Sequence, residues 1–103
     1  MKIIKIENSN LKNKRFKVIL NDGSFYNFGL RTGSTFIDHH DKVKRENYRK
    51  RHYNNKIEKY LIDNYIPSPS LFSYYLLWGD SGDIYKNIDS LNKKLWEVII
   101  HYE

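Results

Sequence analysis

The run KRFKVILNDGSFYNFG, residues 14 to 29, limits what this chain can fold into more than any other. Phe16, Val18 and Leu20 recur at period two, which puts them on one face of a strand. Asn21-Asp22-Gly23 follows, and Asp-Gly tolerates the positive φ that a tight turn demands. Residues 24–29 then read as the return strand of a hairpin. Upstream, KIIKIE (2–7) alternates polar and apolar residues and predicts another short strand, joined by the turn-rich NSNLKN (8–13). The expectation is an antiparallel β-meander of about three strands over residues 2–29. Phe28-Gly29 closes it, with glycine permitting a turn.

From about residue 38 the pattern turns helical. Asp38 stands where an N-cap would, ahead of a charged helix over 39–53. Residues 55–66 continue helically, with Ile57, Tyr60, Leu61 and Tyr65 on one stripe. PSPS (67–70) stops that helix. LFSYYLLWG (71–79) is the most apolar segment and predicts a short buried helix capped by Ser70, with Trp78 in the core. DSGD (80–83) reads as a turn; it lacks the spaced ligands of a calcium loop. Ile84, Ile88, Leu91 and Leu95 then recur at helical spacing. The closing LWEVIIHY either completes the core or is offered to a second subunit. The fold class is α+β, a small sheet followed by three to four helices, in one domain over 1–103.

A chain of 103 residues has a small core, and nine Tyr, five Phe and two Trp supply much of the area it can bury. With no cysteine there are no disulfides and no thiolate metal sites. No apolar run reaches the eighteen residues of a membrane span, and the N-terminal run is too short for a secretory signal, so the chain is not expected to be secreted. The formal charge of +6 favours polyanionic partners.

Residues 41–53 concentrate that charge: Lys42, Lys44, Arg45, Arg49, Lys50 and Arg51 stand against Asp41 and Glu46. Only Val43, Tyr48 and Tyr53 are apolar enough to pack, too few for a wide buried stripe. Such a helix is solvated, with internal pairs such as Asp41–Arg45 and Glu46–Lys50, or it meets a partner. Six cations on duplex DNA would give log affinity a slope near −5 against log salt. Tyrosines interleaved with Lys and Arg suit single strands as well. No named nucleic-acid motif is present, so base-specific readout has no support. His39, His40, Asp41 and His52 raise a third possibility, a metal-dependent nuclease of His-Asn-His type with Asn47 as a further candidate. The confident hairpin ends about ten residues too early for that arrangement, and no spacing of metal ligands is visible. A structural role for Asp38, His40, Asp41, Tyr48, His52 and Trp78 is the expectation: Asp41 orients a histidine or arginine, His40 and His52 bond to Asp38, Asp41 or backbone, and Tyr48 and His52 fix the helix to the body. No cofactor and no metal are expected.

KRFKVILNDGSFYNFG, TFIDHHDKVKRENYRKRH and SLFSYYLLWGDSGDIYKNIDSLNKKLW, taken in order, resemble an uncharacterised family of small basic proteins encoded mainly by large double-stranded DNA viruses. The residues that carry the resemblance are Phe28-Gly29, His39 or His40 with Asp41, the basic run with Lys44, Arg45 and Tyr48, the closing Arg51-His52, and Leu76-Leu77-Trp78 before an amphipathic helix. It spans about residues 14 to 96. Glu58-Lys59-Tyr60 and Ser70-Leu71-Phe72 depart from the pattern. The resemblance implies a viral gene product, and with it the expectation is a non-enzymatic protein located in the virion or in the cytoplasm of the infected cell. As a minor capsid-associated component it would contact capsid protein or packaged genome, with Lys42, Lys44, Arg45, Arg49, Lys50 and Arg51 as the contacts, and it could form a homo-oligomer. The alternative is a sequence-nonspecific nucleic-acid-binding protein acting in the infected cell.

Overall fold

The computed structural model describes residues 1–102, with side chains through Glu97. It is an α+β fold. Strands β1 (Ile3–Asn8), β2 (Lys14–Leu20) and β3 (Phe25–Leu30) form an antiparallel sheet in the order β1-β2-β3. Phe16 pairs with Phe28 and Val18 with Tyr26, so the period-two face of β2 meets the matching face of β3. In the connecting turn Gly23 takes φ +87°, and the Asp22 carboxylate accepts from the Ser24 N–H and hydroxyl. Gly29 has φ +78° within β3, and Leu77 packs so close that an added Cβ would sit 2.9 Å from its Cδ1. Close approach as well as backbone angle explains that glycine.

Five helices follow: α1 (Phe36–His39), α2 (Lys42–Tyr53), α3 (Lys56–Asp63), α4 (Pro69–Phe72) and α5 (Ile84–Tyr102), with a π-helical segment, Ser73–Leu77, continuing α4. The expected helix over 39–53 is split. Asp38 belongs to the short α1, where its carboxylate accepts from the Thr35 N–H and hydroxyl and takes both Arg15 guanidinium nitrogens at 2.6 Å. His40 then turns left-handed (φ 56°), and Asp41 caps α2 by accepting from the Val43 and Lys44 N–H groups. The N-cap of the basic helix is thus Asp41 and not Asp38.

Two further caps move. α3 ends at Asp63, three residues early, because Tyr65 adopts φ 52° ahead of Pro67. Its packed stripe is also rotated from the expected one. Ile62 is buried with Glu58 and Leu61 half-buried, whereas Ile57 and Tyr60 are 73% and 60% exposed. Ser68, not Ser70, caps α4 by accepting from the Leu71 N–H, and Pro69 takes the first helical position, where its missing N–H costs nothing.

The core joins both halves: Ile3, Val18, Leu20 and Phe28 from the sheet meet Leu71, Phe72, Leu76 and Leu77 from the apolar segment and Leu91 and Leu95 from α5. Trp78 lies half-buried at the edge of this cluster. Two asparagines do work that the pattern hid. Asn87, buried, bonds the Leu76 and Ser81 carbonyls and the Ser81 N–H, closing the turn into α5. Asn92 holds both the N–H and the C=O of Ile3, so α5 occupies part of the free edge of β1. Among the described residues no helix is long and apolar enough to cross a membrane. The readings offered for the closing LWEVIIHY turn on side chains past Glu97, outside those described.

Two stability predictions follow from this packing. An alanine Cβ at Gly79 would sit 2.2 Å from the Tyr75 carbonyl oxygen and 2.8 Å from Asn87, contacts neither neighbour can yield easily. Gly79→Ala should cost about 2–3 kcal/mol in urea unfolding, and a loss under ~0.5 kcal/mol would contradict the turn geometry. The Arg15 guanidinium, followed by the Thr35 bonds, holds the Asp38 carboxyl well below the usual carboxylate range. A lowered folded-state value stabilises the fold above the unfolded value of about 4 and loses that contribution as pH falls below it. Asp38→Asn should therefore cost about 1–2 kcal/mol at neutral pH, and the gap to the parent chain should narrow as unfolding is measured from pH 5 toward pH 3.

Candidate nucleic-acid interface

The basic helix carries almost nothing apolar, yet it lies against the body, and the contacts explain how. Arg45, Tyr48, Arg49 and His52, at i, i+3, i+4 and i+7, are its half-buried positions. The two arginines face the carbonyls that end the apolar helical segment. Arg49 donates through Nε and Nη2 to the Trp78 carbonyl at 3.1 and 2.9 Å, and through Nη2 to Asp80 at 3.0 Å. Arg45 lies over the Phe36 ring at 4.5 Å and reaches the Gly79 and Asp80 carbonyls at 3.5 and 3.4 Å. Trp78 is the C-cap of that segment and Gly79 and Asp80 lie just past it, so their carbonyls have no intrahelical donor, and cations suit that end of the dipole. Glu46 sits between the two guanidiniums at 3.2 and 3.5 Å. The expected pairs Asp41–Arg45 and Glu46–Lys50 do not form, because Asp41 caps the helix and Glu46 takes the arginines.

Tyr48 and His52 complete the docking. The Tyr48 ring stacks on Trp78 at 4.3 Å and 7°, and His52 lies on its other side at 4.0 Å. Burial pushes the Tyr48 phenol above its ordinary range, so it stays neutral. His52 Nδ1 meets both Glu58 oxygens at 2.9 Å, and Glu58 also accepts from the Ser70 hydroxyl at 3.2 Å, tying α2, α3 and α4 together. The partner of His52 is therefore Glu58, not Asp38, Asp41 or backbone. Ser70 donates to the carboxylate and not to the imidazole, so the trio is not ordered for Ser-to-His proton transfer.

The remaining candidates separate. His40 packs on Phe36 at 5.9 Å and against Gly82, whose added Cβ would lie 2.5 Å from its Nε2. His39 Nδ1 accepts from the Asp41 N–H at 2.9 Å, so the neutral ring carries its hydrogen on Nε2, which is buried and unpartnered. Asp41 thus orients neither histidine nor arginine with its carboxylate; its backbone meets His39. Among the described residues no three His, Asp or Glu side chains gather as metal ligands. Val43, expected to pack, is 70% exposed, and Tyr53 is exposed as well.

One flank of α2 borders a cleft made of two adjoining cavities. The larger, about 380 Å³, runs between the loop at 29–35, α2 and the start of α4, and Lys14, Ser34, Tyr48, Arg51, His52 and Trp78 are among its lining. The smaller, about 260 Å³, shares Ser34, Tyr48, Arg51 and Trp78 and adds His39, Lys44 and Asn47. Lys14, Lys44 and Arg51 form no salt bridge with the carboxylates of the described residues, and Arg51 lies over the Tyr48 ring at 5.8 Å. Lys42 and Lys50 line neither cavity. The six cations of the helix therefore divide: Arg45 and Arg49 clamp, Lys44 and Arg51 line the cleft, Lys42 and Lys50 face outward. Lys14, Ser34 and Glu58 had no functional signal in the sequence beyond their residue types, because a strand start, a loop and α3 are brought to α2 only by the fold; Asn47, weighed above as a nuclease candidate, lines the smaller cavity from α2 itself.

Residues 4–52, the three strands through the end of the basic run, match the model of a family of unknown function (DUF5754). No curated protein matches the chain. No solved structure matches it either.

The clamp yields a test within one helix. Arg49→Ala removes charged hydrogen bonds to a half-buried carbonyl and should cost about 1.5–3 kcal/mol of unfolding free energy. Arg51→Ala, two residues on, should stay within about 0.5 kcal/mol of the parent. Equal losses in urea titrations of the two variants would contradict the division of roles.

Proposed function

We propose that the chain is a non-enzymatic basic protein of viral origin that binds nucleic acid through its phosphates, with Lys14, Lys44 and Arg51 as the principal contacts. The observation that carries this reading is the cleft itself. Three cations without carboxylate partners among the described residues converge on it from β2 and α2, beside a Tyr48–Trp78 stack. Cations already neutralised by their own protein add little to a polyanion's binding, whereas free ones release counterions from it. The viral setting comes from the resemblance described above, which makes a packaged or replicating genome the natural polyanion. In such a role no residue needs to perform chemistry.

A second reading, contact with an acidic face of capsid protein, is favoured by a different surface. Lys42 and Lys50 lie outward with the exposed Val43, and a mixed apolar and cationic ridge suits a protein surface better than a phosphate backbone. The two readings part in a salt series. With two of the helix arginines engaged internally, three phosphate contacts give log affinity a slope of about −2 to −3 against log salt. Electrophoretic retardation or anisotropy with random-sequence DNA and RNA measures it. A slope near the −5 of six contacts would mean that the clamp opens on binding. Absence of retardation at low salt would remove the nucleic-acid reading and leave the capsid one, which co-purification with nuclease-treated particles tests.

A further inference from the structure

The shape of the cleft says which form of nucleic acid it fits. In a duplex the phosphates are on the outside and the base faces are stacked away from any protein surface, so a duplex is best met by cations on a convex ridge or on a helix laid into a groove. The outward ridge of α2 offers only Lys42 and Lys50, with Glu46 and the exposed Val43 between them. The three cations that form no salt bridge among the described residues lie instead along a concavity next to the aromatic stack. Lys44 and Arg51 are seven positions apart, about 10 Å along the helix axis, and Lys14 contributes from β2. Their surroundings are not simply polar. Trp78 and Tyr48 line both cavities, Leu30, Leu77 and Pro69 line the larger one, and the larger volume lies within the range of small-molecule pockets. Phosphate alone has no use for apolar and aromatic walls, but an unstacked base does.

Polar groups suited to a base edge are present too. Asn47, with an amide that both donates and accepts, lines the smaller cavity. His39 lines it as well.

From this we infer that the cleft is a binding site for single-stranded nucleic acid, with an unstacked base seated against the edge of the Tyr48–Trp78 pair and the flanking phosphates held by Arg51, Lys44 and Lys14. This inference rests on the nucleic-acid reading above and narrows it.

The test compares four ligands with the full-length chain by fluorescence anisotropy at low salt: labelled single-stranded DNA and RNA of about eight nucleotides, a hairpin duplex, and inorganic polyphosphate as competitor. Single strands should bind at least tenfold more tightly than the hairpin, and polyphosphate of equal charge should compete poorly. Trp96→Phe leaves Trp78 as the sole tryptophan, and its emission should be quenched by the single strand and not by polyphosphate. Arg51→Ala and Asn47→Ala, both at exposed positions, should each weaken single-strand binding several-fold while leaving urea unfolding unchanged. Equal affinity for hairpin and single strand, or binding without any change in Trp78 emission, overturns the inference and leaves nucleic-acid binding standing. No binding to any of the nucleic acids overturns both.

Discussion

A helix without an apolar face has no hydrophobic reason to lie against anything, and α2 has no fully buried residue. What holds it is a pair of guanidiniums meeting the carbonyls of Trp78, Gly79 and Asp80, where the apolar helical segment runs out. Those carbonyls, at and past the C-cap, have no backbone donor and would otherwise depend on water. Arginine suits the task because its planar fork donates in several directions at once while its face rests on a ring, here Phe36 under Arg45. The Tyr48–Trp78 stack then supplies the apolar contact that the helix otherwise lacks. Polar and aromatic docking replaces hydrophobic docking.

The rest of the site depends on that arrangement. Anchoring through 45, 48, 49 and 52 fixes the rotation of α2, and the rotation decides which cations face where. Lys44 and Arg51 are turned toward the cleft, and Lys42 and Lys50 away from it. Gly79 belongs to the same device, since only a residue without Cβ lets the chain pass Tyr75 and Asn87 and present the carbonyls that the arginines need. Asp38, bridging Arg15 to the Thr35 turn, holds the loop that forms the facing wall.

The sheet was legible in the sequence because its signals are local: alternation at 16, 18 and 20, and an Asp-Gly turn. The order of the later helices and the inward 84-88-91-95 stripe, with Leu91 and Leu95 buried and Ile84 and Ile88 packed against the core, were legible for the same reason. Cap positions were less so. Asp38 and Asp41 are both plausible N-caps by type, and only the left-handed His40 between them decides the matter. The stripe on α3 was misread because Ile57 and Tyr60 are apolar by composition but exposed in the fold. The division of the six cations could not be read at all. Arg49 and Arg51 are the same residue two positions apart, and what separates them is a carbonyl 29 residues further along the chain. The cleft was hidden likewise, because Lys14 joins it from the other half of the molecule.

The central claim is that clamp and cleft are distinct: two arginines hold the helix while its flank meets the polyanion. NMR titration of the ¹⁵N-labelled chain with a short single-stranded oligonucleotide tests it most directly, through the arginine Nε–H and tryptophan indole resonances. The account predicts that the Arg51 and Trp78 signals move with ligand while those of Arg45 and Arg49 keep their positions. Shifts confined to Arg45 and Arg49, or absent from Arg51 and Trp78 at saturation, would contradict it.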